Sequence, residues 1–386
     1  MPDVHALLGP SGAKRWMSCP PSARLEEQFE EEQSDYAAAG TLAHSLAEQI
    51  LLYNNSEISK KALSGRINKL KQDPLYSQEM QEYIEDYANR VWEIVNEVKT
   101  SCPDALVLFE QQLDYSEYAP EGFGTGDVVI VADDLVNVID LKYGKGVGVS
   151  AEDNPQLRLY GLGAYLEHSM LYDIQRVRMT IIQPRLENIS TEELTAEELL
   201  AWAETEVKPK AELAFAGEGD FAVGDHCRFC RARKVCRAKA ESNLELAKYD
   251  FEDASLLTDE EIGEILQKAD DLAHWVKDIT DYALAEALKG KKFDGWKLVE
   301  GMSRRKYADP DTIAMRLNTE GWEDSEIYKP QELIGITEMT KLIGKAKFEK
   351  LLSDLIVKPE GKPTLVPESD KRPAISTADS ARSDFE

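Results

Sequence analysis

Cysteine is scarce in this 386-residue sequence: the five residues at 19, 102, 227, 230 and 236 are too few and too unevenly spread to form a disulfide framework. Long apolar runs are also missing. No stretch approaches the roughly 20 residues needed to cross a bilayer as a helix, and the opening MPDVHALLGPSGAKRW has no apolar core of signal-peptide type. The expectation is a cytoplasmic protein without a membrane partner. Positive charge is in short supply as well, with 45 Lys and Arg against 72 Asp and Glu and a net charge of -27. That balance excludes a protein that coats nucleic acid by charge alone, because backbone binding depends on cations that replace counterions.

An acidic body does not exclude an enzyme acting on phosphodiesters. Such enzymes use carboxylates to hold metal ions, and a local basic track can guide a strand. Residues 226 to 239 contain Arg228, Arg231, Arg233, Lys234, Arg237 and Lys239 with no acid among them. They read equally as a nucleic-acid track or as a solvated helix face.

The length accommodates one large domain and a smaller one. Apolar residues at helical spacing fall in 35–53 and in 78–99, where Tyr83, Tyr87, Val91, Val95 and Val98 recur three and four apart. From 105 the pattern changes to short β-rich runs, ALVLFEQQL, GTGDVVIV and LVNVIDL, with turn signals between them. A helix over 153–169, opened by Asp153 with Pro155 in its first turn, and a buried strand over 176–183 complete an α/β alternation. Residues 195–216 read as helical. Thr258 and Glu261 form a capping-box pattern ahead of a long amphipathic helix that Gly290 stops. The expected division is a domain over 1–247, a mainly helical subdomain over 248–357 with a hairpin near 295–307, and a tail over 358–386.

Asp133 and Asp134 separate two β-forming runs and so predict a tight hairpin loop. Counting outward from that loop sets Asp127 directly opposite Asp140, with β-carbons about 4.5–5.5 Å apart. Opposed carboxylates among apolar β-formers need something to offset their repulsion, and a divalent cation does so. Lys142, two residues past Asp140, falls on the same face, where an ammonium can stabilise a charged phosphoryl transition state. The bland alternative is a solvated edge hairpin with an ordinary ion pair. Gln156 and Tyr160, four apart on the next helix, share a face, and His44 lies in the helical segment GTLAHSLAE.

In this order the motifs resemble the PD-(D/E)xK nuclease superfamily, and within it the RecB-like exonucleases and their CRISPR-associated iron-sulfur relatives. The matching elements are His44 in GTLAH, Asp127 in GTGD, Asp140 and Lys142 in DLK, and Gln156 and Tyr160 in QLRLY, spanning about residues 36 to 240. The superfamily's proline before the first Asp is absent. The resemblance implies a mixed central sheet flanked by helices. It further implies Mg2+ or Mn2+ on His44, Asp127, Asp140 and the backbone carbonyl of Leu141, with Glu110 as an accessory acid. Lys142 would act as electrostatic stabiliser or proton acceptor, and Gln156 and Tyr160 would position the strand or the lysine.

Cys227, Cys230 and Cys236 are spaced as three close soft ligands and imply a metal or cluster site. Cys19 is the expected fourth, and Cys102 a free thiol. Four thiolates suit zinc and iron-sulfur equally; the resemblance favours a structural 4Fe-4S cluster that ties the N-terminal segment to the end of the nuclease domain. It also implies DNA as substrate, end resection of the phage recombination type, a single-strand annealing partner and a homo-oligomer, in one form a ring. Two other readings stand beside it. One is a non-catalytic nucleic-acid-binding scaffold that keeps the fold; the other is a cluster-dependent redox protein, which has no use for the DLK strand.

Overall fold

The β-forming runs after residue 105 build one five-stranded mixed sheet in a computed structural model that describes residues 6–29, 35–245 and 258–297, with isolated positions between 315 and 350. The strands are β1 (Leu106–Asp114), β2 (Phe123–Val131), β3 (Leu135–Leu141), β4 (Arg176–Gln183) and β5 (Asn188–Thr195), and they lie in chain order across the sheet. The β3–β4 pair is parallel and the other three pairs are antiparallel. A parallel neighbour requires a crossover, which α6 (Pro155–His168) supplies.

Helices cover both faces. On one side pack α3 (Asp35–Asn54) and α5 (Gln78–Ser101), whose Leu46, Tyr87, Val91 and Val95 meet Val128, Ile130, Ile139 and Leu141. On the other, α6 joins α7 (Ala196–Trp202) and α8 (Lys208–Ala216) over Val129, Val131, Val136 and Val138. The period-two alternation of side chains thus feeds two cores. All seven residues of β3 are buried because both of its faces are covered.

Local chemistry sets the helix ends. Ser77 accepts the Met80 N–H and opens α5, and Ser59 does the same for α4 (Lys60–Leu70). The helix expected over 153–169 is capped by Asn154, whose side chain accepts the N–H groups of Gln156 and Leu157; Asp153, with a positive φ of 52°, stands outside it. The expected helix over 195–216 begins with a Thr195–Glu198 capping box and contains a π-turn at Ala203–Val207. Pro209 lies at the start of the following segment, and its missing N–H interrupts the regular ladder there. Neither β5 nor α4 was expected from the sequence pattern.

The N-terminal helices α1 (Ala13–Ser18) and α2 (Ser22–Glu26) are held by residues roughly two hundred positions away. Buried Glu26 accepts from Arg15 Nε at 2.6 Å and from the Arg231 N–H at 2.7 Å, and Arg24 Nε donates to the Phe215 carbonyl at 2.7 Å. After α9 (Arg237–Leu244) comes α10 (Asp259–Leu288), opened by the expected Thr258–Glu261 capping box. Arg233 pairs with Asp278 at 2.5 Å, and Lys239 with Asp271.

The chain divides into two compact units, Met1–Tyr282 and Ala283–Glu386, so the break follows most of α10 instead of preceding it at 247. The Arg233 and Lys239 ion pairs account for the first unit's hold on that helix. In the second unit the described residues comprise the end of α10, the segment through Lys297 and the isolated positions. Most of the hairpin expected near 295–307, most of the short helices expected over 309–356, and the tail lie outside the described residues. Among the described residues no helix is long and apolar enough to cross a membrane.

Candidate active site

The hairpin register is the one expected. Ala132 N–H donates to the Leu135 carbonyl at 2.8 Å across the Asp133–Asp134 tip, and the pairs run from Val131↔Val136 to Val128↔Ile139. Continued one step past its last pair, this register sets Asp127 opposite Asp140. In the β1–β2 register, Phe109↔Val128 and Gln111↔Gly126 bracket Glu110 and Asp127. Three carboxylates therefore share one row across β1, β2 and β3.

At this row the sheet opens. The β2–β3 ladder ends at Val128↔Ile139, while β2 stays with β1 as far as Phe123 and β3 stays with β4 through Leu141↔Ile182. Asp127 fills the fork: its Oδ2 accepts the Leu141 N–H at 2.6 Å and its Oδ1 lies 2.9 Å from His44 Nδ1 on α3. Leu141 thus meets the site through its N–H. Glu110 has φ of 49°, a left-handed backbone that costs a residue with a β-carbon about 1–2 kcal/mol. The side-chain alternation of β1 slips there, because Val107 and Phe109 pack in the α3–α5 layer and Leu113 in the α6 layer.

Oxygen or nitrogen atoms of His44, Glu110 and Asp127 all come within 4.8 Å of one another, the one such group of three among the described residues. Glu110, named from sequence only as an accessory, belongs to this trio. Asp140, named as a principal ligand, does not: it is turned to Lys142, whose Nζ lies 3.2 Å from Oδ1 and 2.9 Å from Oδ2. The second contact makes no hydrogen bond, so Asp140 Oδ2 is a buried acceptor left without one.

The charges respond to this crowding. Burial alone would lower the His44 pKa, but the charge and hydrogen bond of Asp127, with Asp140 and Glu110 behind it, raise it to about 9. Burial, then the Asp127 charge, lift Glu110 to about 7. Asp127 is itself held below the usual carboxylate range: burial opposes this, and His44, the Leu141 N–H and Lys142 outweigh it. Asp140 is raised, by burial first and by Asp127, with Lys142 opposing. Protons on His44 and Glu110 neutralise a site whose donors suit a divalent cation.

Lys142 links the row to α6. Its Nζ also donates to Gln156 Oε1 at 3.0 Å, and Gln156 Nε2 donates to the Tyr160 hydroxyl at 3.3 Å. The Asn154 cap fixes the first turn of α6 and with it Gln156. Gly124, in the GTGD segment, lets Tyr160 approach: a β-carbon there would lie 2.8 Å from Tyr160 Cε1 and 2.5 Å from Pro10 Cγ. Helical spacing marks Tyr87 as a core position. Its ring is fully buried, yet its hydroxyl has no partner and, besides burial, feels the charges of Asp127, Asp140 and Glu110. Its hydroxyl, shared along that helical stripe only with Tyr83, was the only signal for it.

Cys19, Cys227, Cys230 and Cys236 line one small cavity together with Arg15 and His226, although no three of their sulfurs come within 4.8 Å of one another. Burial would raise the Cys227 thiol, but His226 and the Gly224 N–H bring it below its ordinary value. Cys230, beside Glu26, is pushed up to about 12, chiefly by burial. Cys102 is buried apart from these, 3.3 Å from Asp104 Oδ1. In the basic segment, Arg228 and Arg231 are exposed, while Arg233 is committed to Asp278 and Lys234 is half-buried. The α10 carboxylates thus take up part of a charge run that contains no acid of its own.

A family model described as "Protein of unknown function (DUF2800)" matches residues 5–373. The chain belongs to the DUF2800 family. This DUF2800 chain is also similar to a solved protein described as "Crystal structure of SSO0001", with 14% identity over 57% of this chain and 95% of that one, at a TM-score of 0.22. A superposition that loose carries no argument.

Proposed function

We propose that this chain is a metal-dependent deoxyribonuclease of PD-(D/E)xK type that hydrolyses phosphodiester bonds from DNA ends. The observation that carries the reading is the row Glu110–Asp127–Asp140, flanked by His44 on one side and by Lys142, Gln156 and Tyr160 on the other. The imidazole of His44 and the carboxylates of Glu110 and Asp127 form a donor set suited to Mn2+ or Mg2+, with Asp140 beside them in an ion pair with Lys142. His44, Glu110 and Asp127 would hold the ion, with Asp140 at its edge. Bound there, the metal lowers the pKa of an attacking water and neutralises phosphate charge.

The residues have separate tasks. Lys142, fixed between Asp140 and Gln156, presents an ammonium to the charge that develops on the phosphoryl oxygens. Gln156 and Tyr160 set the lysine's position, and the Leu141 N–H holds the Asp127 carboxylate in the fork. The cysteine cavity supports a structural 4Fe-4S cluster on Cys19, Cys227, Cys230 and Cys236.

The proposed setting is end resection in the cytoplasm, alongside a strand-annealing partner and as an oligomer. The test is incubation of linear and circular DNA with Mn2+ or Mg2+, comparing wild type with Asp140→Ala and Lys142→Ala. Degradation of linear DNA that both variants lose is the expected result. A wild type inert on every form of DNA, with the metal bound, overturns the reading. If it nevertheless binds DNA, the scaffold reading takes its place.

A further inference from the structure

Arg185 differs from its neighbouring arginines. In a chain with 72 acids, Arg158, Arg176 and Arg178 each pair with carboxylates at 2.5 to 3.7 Å. Among the described residues, no acid pairs with Arg185 and no hydrogen bond occupies it. It is held instead by two aromatic rings, its guanidinium carbon 4.8 Å from the centre of Tyr143 and 5.9 Å from that of Tyr83. Stacking of this kind fixes the guanidinium plane and leaves its edge donors unused.

The position of this clamp is informative. Tyr143 follows Lys142 directly, and Arg185 lies in the turn Pro184–Leu186 that ends the neighbouring strand β4. Arg185 is four residues beyond Ile181, the partner of Asp140, so along the strand it stands at most about 13 Å from Ile181 at roughly 3.3 Å per residue, with β3 about 4.8 Å to the side.

After Tyr143 the chain continues as the exposed segment 144–148, with Gly144, Gly146 and Gly148 around Lys145. A β-carbon at any of these glycines would meet nothing within 4 Å, and none has a positive φ. Neither packing nor backbone conformation calls for glycine here. The far end of the segment is nonetheless anchored, since the buried Gln183 accepts the Val149 N–H at 2.7 Å and donates to the Val147 carbonyl at 3.1 Å. Bare backbone on a fixed base lets a ligand's own backbone come close.

We infer that Arg185, clamped by Tyr83 and Tyr143, and the glycine segment 144–148 with Lys145 bind the phosphate backbone of a single DNA strand next to the carboxylate row. The inference rests on the nuclease reading for its substrate. Its observations, a free guanidinium and glycines without a structural duty, are independent of the metal site.

The test uses the full chain and a fluorescein-labelled single-stranded oligonucleotide, with Ca2+ in place of Mn2+, reading affinity by anisotropy across a salt series. Arg185→Ala is expected to weaken binding about tenfold and to reduce the slope of log affinity against log salt by about 0.7, the share of one phosphate contact on a single strand. Arg185→Lys should keep the slope and lose part of the affinity. Gly146→Val should weaken binding, whereas Lys60→Ala on α4 should change neither quantity. In Mn2+, Arg185→Ala should raise KM and leave kcat within about twofold.

Wild-type affinity and slope in Arg185→Ala overturn the inference and leave the nuclease reading standing. If that variant does not fold, unchanged binding by both Arg185→Lys and Gly146→Val has the same force. Arg185-dependent binding without hydrolysis in Mn2+ or Mg2+ supports the inference and overturns the nuclease reading. A wild type that binds no DNA overturns both.

Discussion

His44 Nδ1 lies 2.9 Å from Asp127 Oδ1, a contact that fastens helix α3 to the sheet at the point where β2 and β3 part. Without metal, this contact and its neighbours are stabilised by protons. His44 keeps its proton up to a pKa of about 9 and Glu110 up to about 7, both above their ordinary values. A folded state with raised pKa values binds more protons than the unfolded chain, so stability falls as pH rises. The windows run from about 4.5 to 7 for Glu110 and from about 6.5 to 9 for His44.

Metal uptake should therefore release protons. Mn2+ binding is expected to expel about two protons at pH 6 and about one at pH 8, with affinity rising across that range. Calorimetry in buffers of different ionisation enthalpy measures the count. The metal-free protein should also melt lower at pH 9 than at pH 6, and Mn2+ should narrow the difference. Proton release that is absent, or constant with pH, contradicts the assignment.

Glu110→Gly separates stability from metal binding. Glycine adopts the left-handed backbone without strain and removes one carboxylate from the row, so the metal-free protein should gain about 1 kcal/mol. Mn2+ affinity should drop by at least about tenfold. Glu110→Gln, which keeps the strain and loses the charge, should weaken metal binding without gaining the backbone part of that stability. Denaturant melts with and without Mn2+ distinguish the two substitutions.

Gly124→Ala places a methyl group against Pro10 and Tyr160. The expected cost is about 1–3 kcal/mol of stability, typical of overpacking a closed contact. Displacement of Tyr160 should also loosen Gln156 and Lys142, so activity per folded molecule should fall. Equal activity and melting midpoint in the variant would mean that the α6 face has more room than its contacts indicate.

Cys19→Ala, Cys227→Ala, Cys230→Ala and Cys236→Ala should each abolish the visible absorption and iron content of protein purified without oxygen, and each should lower the melting midpoint. Cys102→Ala should leave the absorption and iron content unchanged, because Cys102 is buried away from the other four. Full zinc occupancy with no iron in the wild type would replace the cluster by a single ion.

The row of carboxylates was legible where a single rule governs placement. A two-residue turn at Asp133 and Asp134 fixes the pairing, and period two does the rest, so Asp127, Asp140 and Lys142 were located by counting. Glu110 could be placed only loosely, because its position depends on the separate β1–β2 pairing and on a backbone conformation that glutamate rarely adopts. Strand β5 escaped notice because both of its faces carry polar residues, Glu192 on one serving Arg158 and Glu193 on the other serving Arg176 and Arg178. Arg233 looked available because its partner Asp278 is distant in the sequence. Arg185 gave no signal, since what sets it apart is the identity of its neighbours in space.

The hold of residues 215–231 on α1 and α2 also bears on the order in which the chain acquires its structure during synthesis. The hairpin of β2 and β3, the crossover α6 and strand β4 are complete once residue 183 has emerged, and their contacts are short in sequence. Glu26 and Arg24 must wait for Arg231 and Phe215. Leu8, Pro10 and Trp16 can meet Tyr115, Gly124 and α6 earlier, but for about 200 residues of translation α2 lacks these two partners and Cys19 stays apart from the three cysteines that share its cavity. The cavity that these cysteines line therefore closes only after the sheet has brought its three carboxylates into line.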